Sequence, residues 1–310
     1  MTSPYTIPDP PTLLAQMQLL AGQKSVITWV GTDMSRHPLA GGVAPELSIQ
    51  DGVIVTSVKG AMGTWKHLDQ SSAHQDGATW LDAVYDPHEI DLGITIGAQS
   101  PHGYRKVFRQ WVDSWDAKLT GTLFWFTAEF GEWWLTLRFL NGPDDDLKVN
   151  PAHQTKGEFT WTGRADQPFW QSFDSSSSLV ASSATTLVDP LGLNADNFLS
   201  LFNRGDQSGW PRYLCQGPFT KMSIADANSG ATVSFGPLTA GQTALVTTEP
   251  RIQSVTNLTT GDNLYPLLTG RFLTSIPAAK TLRIPVTVTG ATAGVTQING
   301  SLTPLRKWPE

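Results

Sequence analysis

The 310-residue sequence has little of what several functional classes require. Its single cysteine, Cys215, can form neither an intrachain disulfide nor a cysteine-based zinc or iron–sulfur site. No run of about 18 apolar residues is present, which excludes a membrane-spanning helix of ordinary length. Charged residues make up only 15%, and 21 Lys and Arg stand against 27 Asp and Glu, so the basic excess of nucleic-acid-binding proteins is missing. We therefore expect no cofactor, no membrane insertion and no sequence-specific nucleic-acid binding.

We expect no secretory signal at the start of the chain. Residues 1–22, MTSPYTIPDPPTLLAQMQLLAG, have no basic beginning and carry four prolines before their one apolar stretch. We expect the protein to be made in a cytoplasm and to be kept there or assembled there into something larger.

Composition changes near the middle of the chain. Residues 1–165 hold 12 basic and 18 acidic side chains and residues 166–310 hold 9 of each, so the whole net charge of −6 lies in the first part. Nine of the twelve tryptophans and all six histidines lie there as well. The stretch 174–186, DSSSSLVASSATT, is poor in large apolar residues. These shifts predict an N-terminal domain over 1–165, a serine-rich linker or crossing segment over 166–195, and a C-terminal domain over 196–310.

Short β-branched and aromatic runs between Gly, Asp and Pro predict a mainly β protein. In the N-terminal part these runs are 52–58, 80–86, 90–98, 122–128 and 132–140. In the C-terminal part they are 211–217, 231–236, 243–248, 252–256, 281–290 and 295–304. The close spacing of the second set predicts a jelly-roll β-sandwich, and Pro285 inside one run predicts a sheet edge or a bulge.

One segment has helical periodicity. Its apolar residues recur at intervals of three and four, namely Tyr104, Val107, Phe108, Trp111, Val112 and Trp115. Ser100 is suited to the N-cap position and Pro101 to the first turn. The pattern predicts one amphipathic helix of about four turns that packs its aromatic side on a sheet, with Trp111 and Trp115 in the core.

Motifs of common enzymes are missing, including HExxH, GxSxG and the phosphate-binding loop. Glu129 and Glu132, beside Trp133 and Trp134, have the residue types of a glycosidase carboxylate pair. The same segment is also typical of a hairpin end with Gly131 in the turn, and we favour that interpretation.

Candidate metal ligands are sparse. His67 and His74 could meet only if the fold brought them together, and Asp144–Asp146 lacks the spacing of an EF-hand. We expect surface or structural histidines and a solvated acidic loop. Cys215 lies in a strand-like run, where a buried and inert thiol is expected.

Tryptophan is the strongest positive feature, because aromatic side chains dominate protein interfaces and also bind sugars. In the runs TLFWFT and EWWLTLRF, strand alternation cannot bury both faces against one core. At least one aromatic in each run must face outward, which predicts an apolar surface covered by a partner. The candidate residues for this surface are Trp125, Trp133 and Trp134.

The order of these features resembles one family. In the first half the resemblance rests on a strand with Trp29, the DGVIVTSV run, the helix YRKVFRQWVDSWD (104–116) and GTLFWFTAEFGEWWLTLRFL (121–140). In the second half it rests on FNRGDQSGWPRYLCQGPF (202–219), SGATVSFGPLTAGQTALVTTEPR (229–251) and TPLRKWP (303–309). Over most of its length the chain is similar to the distal tail proteins, minor tail proteins of long-tailed actinobacterial phages (siphoviruses).

The resemblance implies a structural virion protein of the baseplate, without catalytic residues. An N-terminal β-sandwich-like ring ("belt") domain, with one helix and a long hairpin, would close with five other copies into a homo-hexameric ring. A C-terminal galectin-like or jelly-roll β-sandwich would project outward. The ring would join the major tail tube protein to the tail-tip hub, or tail-associated protein, and would act in host attachment and genome passage. The protein would be assembled in the host cytoplasm and would reside at the phage tail tip.

Two other functions remain open at this point. The C-terminal domain could bind a host-surface glycan through Trp210, Arg212 and Tyr213, provided that these side chains form an exposed platform. Alternatively, the N-terminal domain could hydrolyse cell-wall glycan through Glu129 and Glu132, in which case replacing both by Gln abolishes hydrolysis.

Overall fold

Antiparallel strands make up most of the protein, as the sequence predicted. The computed structural model describes residues 25–71, 76–143, 153–193, 196–227 and 229–310. The chain divides into two units. Unit 1 comprises the described residues up to Trp170 together with Lys307–Glu310, and unit 2 comprises Gln171–Arg306.

The strands of unit 1 are β1 (Val26–Val30), β2 (Arg36–Ala40), β3 (Gly52–Lys59), β4 (Trp65–Gln70), β5 (Thr79–Tyr85), β6 (His88–Gly97), β7 (Gly121–Thr127), β8 (Gly131–Asn141) and β9 (Lys156–Ala165). Seven of them follow one another across the main sheet in the order β2-β1-β7-β8-β9-β6-β3, and β4 and β5 pair with each other. β8 changes partner along its length, because its first seven residues pair with β7 and its end pairs with β9. The buried residues of both halves of the sheet form one core.

The predicted helix is confirmed as α1 (Pro101–Asp113). Ser100 is extended at the N-cap, and its side chain accepts a hydrogen bond from the Gly103 amide at 3.1 Å. Trp111 is buried as predicted, but Val112 is 38% exposed because the next residue of a helix points about 100° away from its neighbour. Trp115 lies just beyond the helix and is still buried.

The core of unit 1 contains a stack of tryptophans. Trp29 lies flat on Trp115, with ring centroids 3.8 Å apart, and Trp111 and Trp161 meet Trp115 at 5.8 and 6.4 Å. Seven tryptophans of unit 1 are buried in all: Trp29, Trp111, Trp115, Trp125, Trp133, Trp161 and Trp170. One core therefore accommodates more of the aromatic surface than the composition led us to expect.

Unit 2 is the predicted β-sandwich. One sheet has the order β12-β11-β20-β14-β17-β18 and the other has the order β13-β19-β15-β16. Its strands are β11 (Ser175–Ala181), β12 (Leu187–Val188), β13 (Phe198–Phe202), β14 (Arg212–Gln216), β15 (Lys221–Ala225), β16 (Thr232–Phe235), β17 (Thr243–Thr247), β18 (Ser254–Asn257), β19 (Thr281–Thr289), β20 (Gln297–Leu302) and β21 (Leu305–Arg306). A two-residue strand, β10 (Trp170–Gln171), precedes them, and a short 3-10 helix spans Tyr265–Leu267. Buried residues of both sheets form a single core.

The serine-rich stretch, predicted to be a linker or crossing segment, contains a strand of this sandwich. β11 pairs with β20 over six residues, and its Leu179 and Ala181 point into the core. The Ser177 hydroxyl also accepts a hydrogen bond from the Ser200 amide at 3.1 Å. Sheet pairing uses the backbone, so a strand with few large side chains can still form when its neighbours supply the apolar surface.

Pro285 lies in the interior of a strand that has a partner on each side. It is the last residue of β19 that pairs with β13, and pairing with β15 begins at Val286. Proline has no N–H group to donate to a ladder. Because Pro285 lies where the pairing of β19 with β13 ends and its pairing with β15 starts, its position corresponds to a local sheet edge.

Candidate functional site

Alternation along β7 and β8 divides their aromatic residues between two faces. Trp133 is fully buried, and its Nε1 donates a hydrogen bond to the Phe130 carbonyl at 2.8 Å. Trp125 is 7% exposed, and its Nε1 donates to a Glu310 carboxylate oxygen at 3.1 Å. Both tryptophans belong to the core, which corrects their assignment to a partner surface. The alternation that buries Leu123 also turns these two side chains inward.

The opposite face of these strands carries the outward-facing aromatics that the sequence predicted. Phe124, Phe126 and Trp134 are half-buried there, and we call them the aromatic face. Phe124 and Trp134 are directly paired across the two strands, with ring centroids 6.1 Å apart. Thr28 of β1 continues the same row. Of the three predicted interface tryptophans, only Trp134 lies on this face.

The two glutamates lie at the predicted hairpin end. Thr127 pairs with Gly131, which has a φ of +75°, and the Thr127 hydroxyl accepts a hydrogen bond from the Phe130 amide at 3.1 Å. Glu129 is exposed in the turn. Glu132 is half-buried opposite Phe126, and burial raises the pKa of its carboxyl. The hairpin interpretation is confirmed.

The three residues predicted to hold a glycan do not form a platform. Tyr213 is fully buried, its ring lies 5.8 Å from Phe272, and burial raises the pKa of its hydroxyl. Arg212 points to the other side of β14, where its guanidinium is 2.9 Å from an Asp174 carboxylate oxygen. Trp210 is half-buried. Adjacent residues of a strand face opposite sides of the sheet, so Arg212 and Tyr213 cannot share one surface.

A cavity of about 460 Å³ lies in unit 1, and sequence reasoning missed it. Its polar lining includes Asp33, Ser35, His37 and Asp51. Its apolar lining includes Val43, Val53 and Val107. Asp33 and Ser35 come from the β1–β2 turn, His37 from β2 and Asp51 from the segment before β3, and no short motif in the sequence joins these places.

The chemistry of this cavity is not that of a catalytic triad. The Ser35 hydroxyl donates to an Asp33 carboxylate oxygen at 2.6 Å and lies 3.0 Å from His37 Nε2. In a triad the histidine lies between the carboxylate and the hydroxyl, whereas here the Ser35 hydroxyl lies between Asp33 and His37. Although burial opposes it, hydrogen bonding from Ser35 lowers the pKa of Asp33.

His37 gives the fold a pH dependence. Burial lowers the pKa of its imidazole below the ordinary value of 6.5, so the unfolded chain binds a proton more readily than the folded chain does. We expect the stabilising contribution of the neutral His37 imidazole to be complete above pH 6.5. The unfolding free energy should fall as the pH is lowered from 6.5 towards the pKa of His37 in the folded protein. Thermal melts of His37→Gln should show a smaller drop over this range than wild type. His102→Gln, at an exposed position, is the matched control, and equal slopes for wild type and His37→Gln would contradict the expectation.

Among the described residues, no group of three or more His, Cys, Asp or Glu side chains could hold a metal ion. The indole N–H groups of Trp65 and Trp80 point to the two ring nitrogens of His67 at 3.4 and 3.3 Å. His74 and Asp144–Asp146 lie outside the described residues.

Cys215 is fully buried, as predicted, and burial raises the pKa of its thiol, which makes it a poor nucleophile.

In the part of the chain that the structure describes, no helix has the length and apolar character needed to cross a membrane.

Comparison with known proteins identifies related structures. No protein-family model and no curated protein matches the sequence. The structure is similar to the Dit protein (gp 19.1) of phage SPP1, described as a paradigm of the hub adsorption apparatus in phages that infect Gram-positive bacteria. That match has a TM-score of 0.59 at 9% identity and covers 91% of this chain and 99% of the Dit chain. Structures of the phage P2 baseplate in its activated conformation, with Ca and with Sr, match with a TM-score of 0.52 at 10% identity over 92% of this chain and 99% of that chain. The chain therefore shares the fold of these phage proteins.

Proposed function

We propose that this protein is a structural component of a phage tail tip, a distal tail protein that forms a ring of six copies. The ring joins the tail tube protein to the tail-tip hub, acts in host attachment and lets the genome pass. The protein is built into the virion in the cytoplasm of its host, which the sequence resemblance indicates to be an actinobacterium. No residue has a catalytic role.

The observation that carries this proposal is the extent of the structural similarity. It spans nine-tenths of this chain and nearly all of the Dit chain, so both units of the protein are included. The sequence resemblance to distal tail proteins, which rests on residues of both halves, points to the same role independently of the coordinates.

The surface of unit 1 also suits an assembled protein. The aromatic face, with Phe124, Phe126 and Trp134, presents large apolar side chains that are only half covered by their own unit. Aromatic residues of this kind are the usual anchors of oligomer interfaces. We assign Trp134 to a contact with another copy of the chain.

Light scattering after gel filtration tests the ring. We expect a species near six times 33.7 kDa, about 202 kDa, with ring-shaped particles in negative stain. Trp134→Ala should shift the distribution towards the monomer, because loss of an aromatic anchor costs about 2 kcal/mol or more at each contact. A wild type that is monomeric at every concentration would contradict the ring. An unchanged mass for Trp134→Ala would contradict the role of Trp134.

A further inference from the structure

β4 and β5 form a two-stranded hairpin, which we call the arm. In the described part of the chain, these two strands pair only with each other. Every residue of β4 is exposed, and five large apolar side chains of the arm remain exposed: Trp65, Leu68, Trp80, Leu81 and Val84. An isolated two-stranded hairpin is marginally stable in water, so an arm of this composition needs a surface to cover it.

The apolar residues of the arm lie on both of its sides. Trp65 and Trp80 flank His67 on one side, as their contacts with its ring show. Leu68 and Val84 belong to the other side, because Val84 pairs with Lys66, two residues before Leu68. Trp80 is 60% exposed and Val84 is 50% exposed, so both sides of the arm keep exposed apolar surface.

The root of the arm is fixed. His88, fully buried directly after the arm, lies with Nδ1 2.9 Å from the Pro168 carbonyl and with Nε2 against the Gly60 carbonyl. The Tyr85 ring contacts Phe169 at 4.7 Å. The arm therefore leaves unit 1 from a packed base, which favours a defined direction over free movement.

The arm and the helix carry opposite charge. Residues 65–86 contain one lysine and four aspartates, a formal charge of +1 − 4 = −3. Residues 101–113 contain three basic residues and one aspartate, a formal charge of +3 − 1 = +2. Arg105, Lys106 and Arg109 are all exposed on α1. These two surfaces attract each other when they approach.

The arm and the start of the helix lie at opposite ends of one strand pair. β3 and β6 pair from Lys59 with Asp91 at one end to Gly52 with Gly97 at the other. The arm leaves at the first end, and α1 begins four residues after the second. Complementary surfaces on an arm and a helix that begin at opposite ends of one strand pair suit a head-to-tail contact between copies, and repeated contacts of that kind can close a ring.

We propose that the arm of one copy packs on the exposed basic side of α1 of the next copy. Each side of the arm carries an aspartate, because Asp69 pairs with Trp80 and Asp82 pairs with Leu68. One side of the arm becomes covered by this contact, and its aspartate meets Lys106 and Arg109. This inference rests on the proposed ring. It identifies the neighbour on the arm as a second copy of this chain.

Charge reversal on each surface tests the contact. Asp69→Lys with Asp82→Lys reverses the arm, and Lys106→Glu with Arg109→Glu reverses the helix. All four side chains are exposed, so thermal melts of the variants should match wild type. We expect each reversed protein to run at the 33.7 kDa monomer mass by light scattering. Arg271→Glu with Lys280→Glu changes the charge of exposed residues in unit 2 by the same amount as the helix reversal and should assemble like wild type.

Recombination identifies the pairing. An equimolar mixture of the arm-reversed and helix-reversed proteins should assemble, because each arm then meets a helix of opposite charge. A protein that carries all four substitutions should also assemble with itself. Failure of both rescues would overturn the pairing of arm and helix.

The outcomes separate this inference from the ring itself. If wild type assembles and both reversed proteins assemble equally well, the ring stands, the inference is overturned and the arm serves another partner. If wild type is monomeric at every concentration, the proposed ring fails and the inference fails with it.

Discussion

Trp133→Ala is expected to lower the unfolding free energy of unit 1 by about 3–5 kcal/mol, and Trp134→Ala, one residue further on, by about 1 kcal/mol. Trp133 is fully buried, whereas Trp134 is half-buried on the aromatic face. The two changes remove the same atoms from neighbouring positions of one strand. The difference between them therefore measures which side of the sheet each residue occupies.

The large effect of Trp133→Ala has two sources. Removing a buried indole leaves a cavity in a core that relaxes only in part. The Phe130 carbonyl also loses the hydrogen bond from Trp133 Nε1, at the turn that joins β7 to β8. Because β8 belongs to both halves of the sheet, this damage reaches the whole core of unit 1.

Chemical denaturation followed by tryptophan fluorescence provides the measurement. Most tryptophans lie in unit 1, so the signal reports mainly on its unfolding. Near-ultraviolet circular dichroism checks whether Trp133→Ala still packs its remaining aromatic rings. Equal losses for the two variants would mean that both tryptophans contribute alike to the core, in conflict with the structure.

Asp226→Ala is expected to destabilise unit 2 by about 2–5 kcal/mol. Asp226 is 1% exposed, and its carboxylate accepts hydrogen bonds from the Leu273 amide at 3.1 Å, the Thr274 amide at 3.2 Å and the Ser229 hydroxyl at 3.0 Å. Alanine leaves two backbone N–H groups without their acceptor. These amides border Phe272, which packs against Tyr213 in the core, so the change loosens a core element as well.

Asp226→Asn is the matched control. It keeps the size of the side chain and one acceptor oxygen, so a smaller loss is expected than for alanine. Hydrogen exchange of the Leu273 and Thr274 amides tests the mechanism directly, since both should exchange faster in Asp226→Ala. Unchanged exchange at these two amides, together with unchanged stability, would show that the carboxylate does not hold this segment.

Local patterns were sufficient for the elements themselves. The spacing of apolar residues from Tyr104 to Trp111, with Ser100 before them, predicts α1 because helix periodicity and capping depend on near neighbours. The alternating runs predict most strands of both units, and the turn at Gly131 is readable from a glycine between two aromatic strands. A mainly β fold with one amphipathic helix follows from these patterns alone.

Other features depend on contacts between distant residues. The serine-rich β11 forms because β20 and β12 pair with it, and the cavity near His37 joins two segments that no motif connects. The arm was missed in part because β4 has no buried side, so its sequence lacks the alternation of a core strand.

The sequence by itself determined α1, many of the strands, the aromatic excess of the first half and the need for outward-facing aromatics on β7 and β8. Only the tertiary structure decided which aromatics face outward, placing Trp125 and Trp133 inside and leaving Trp134 on the opposite face. The physical reason is that alternation defines two sides of a strand without saying which one meets the core. That choice is made by the strands and the helix that pack on it from elsewhere in the chain.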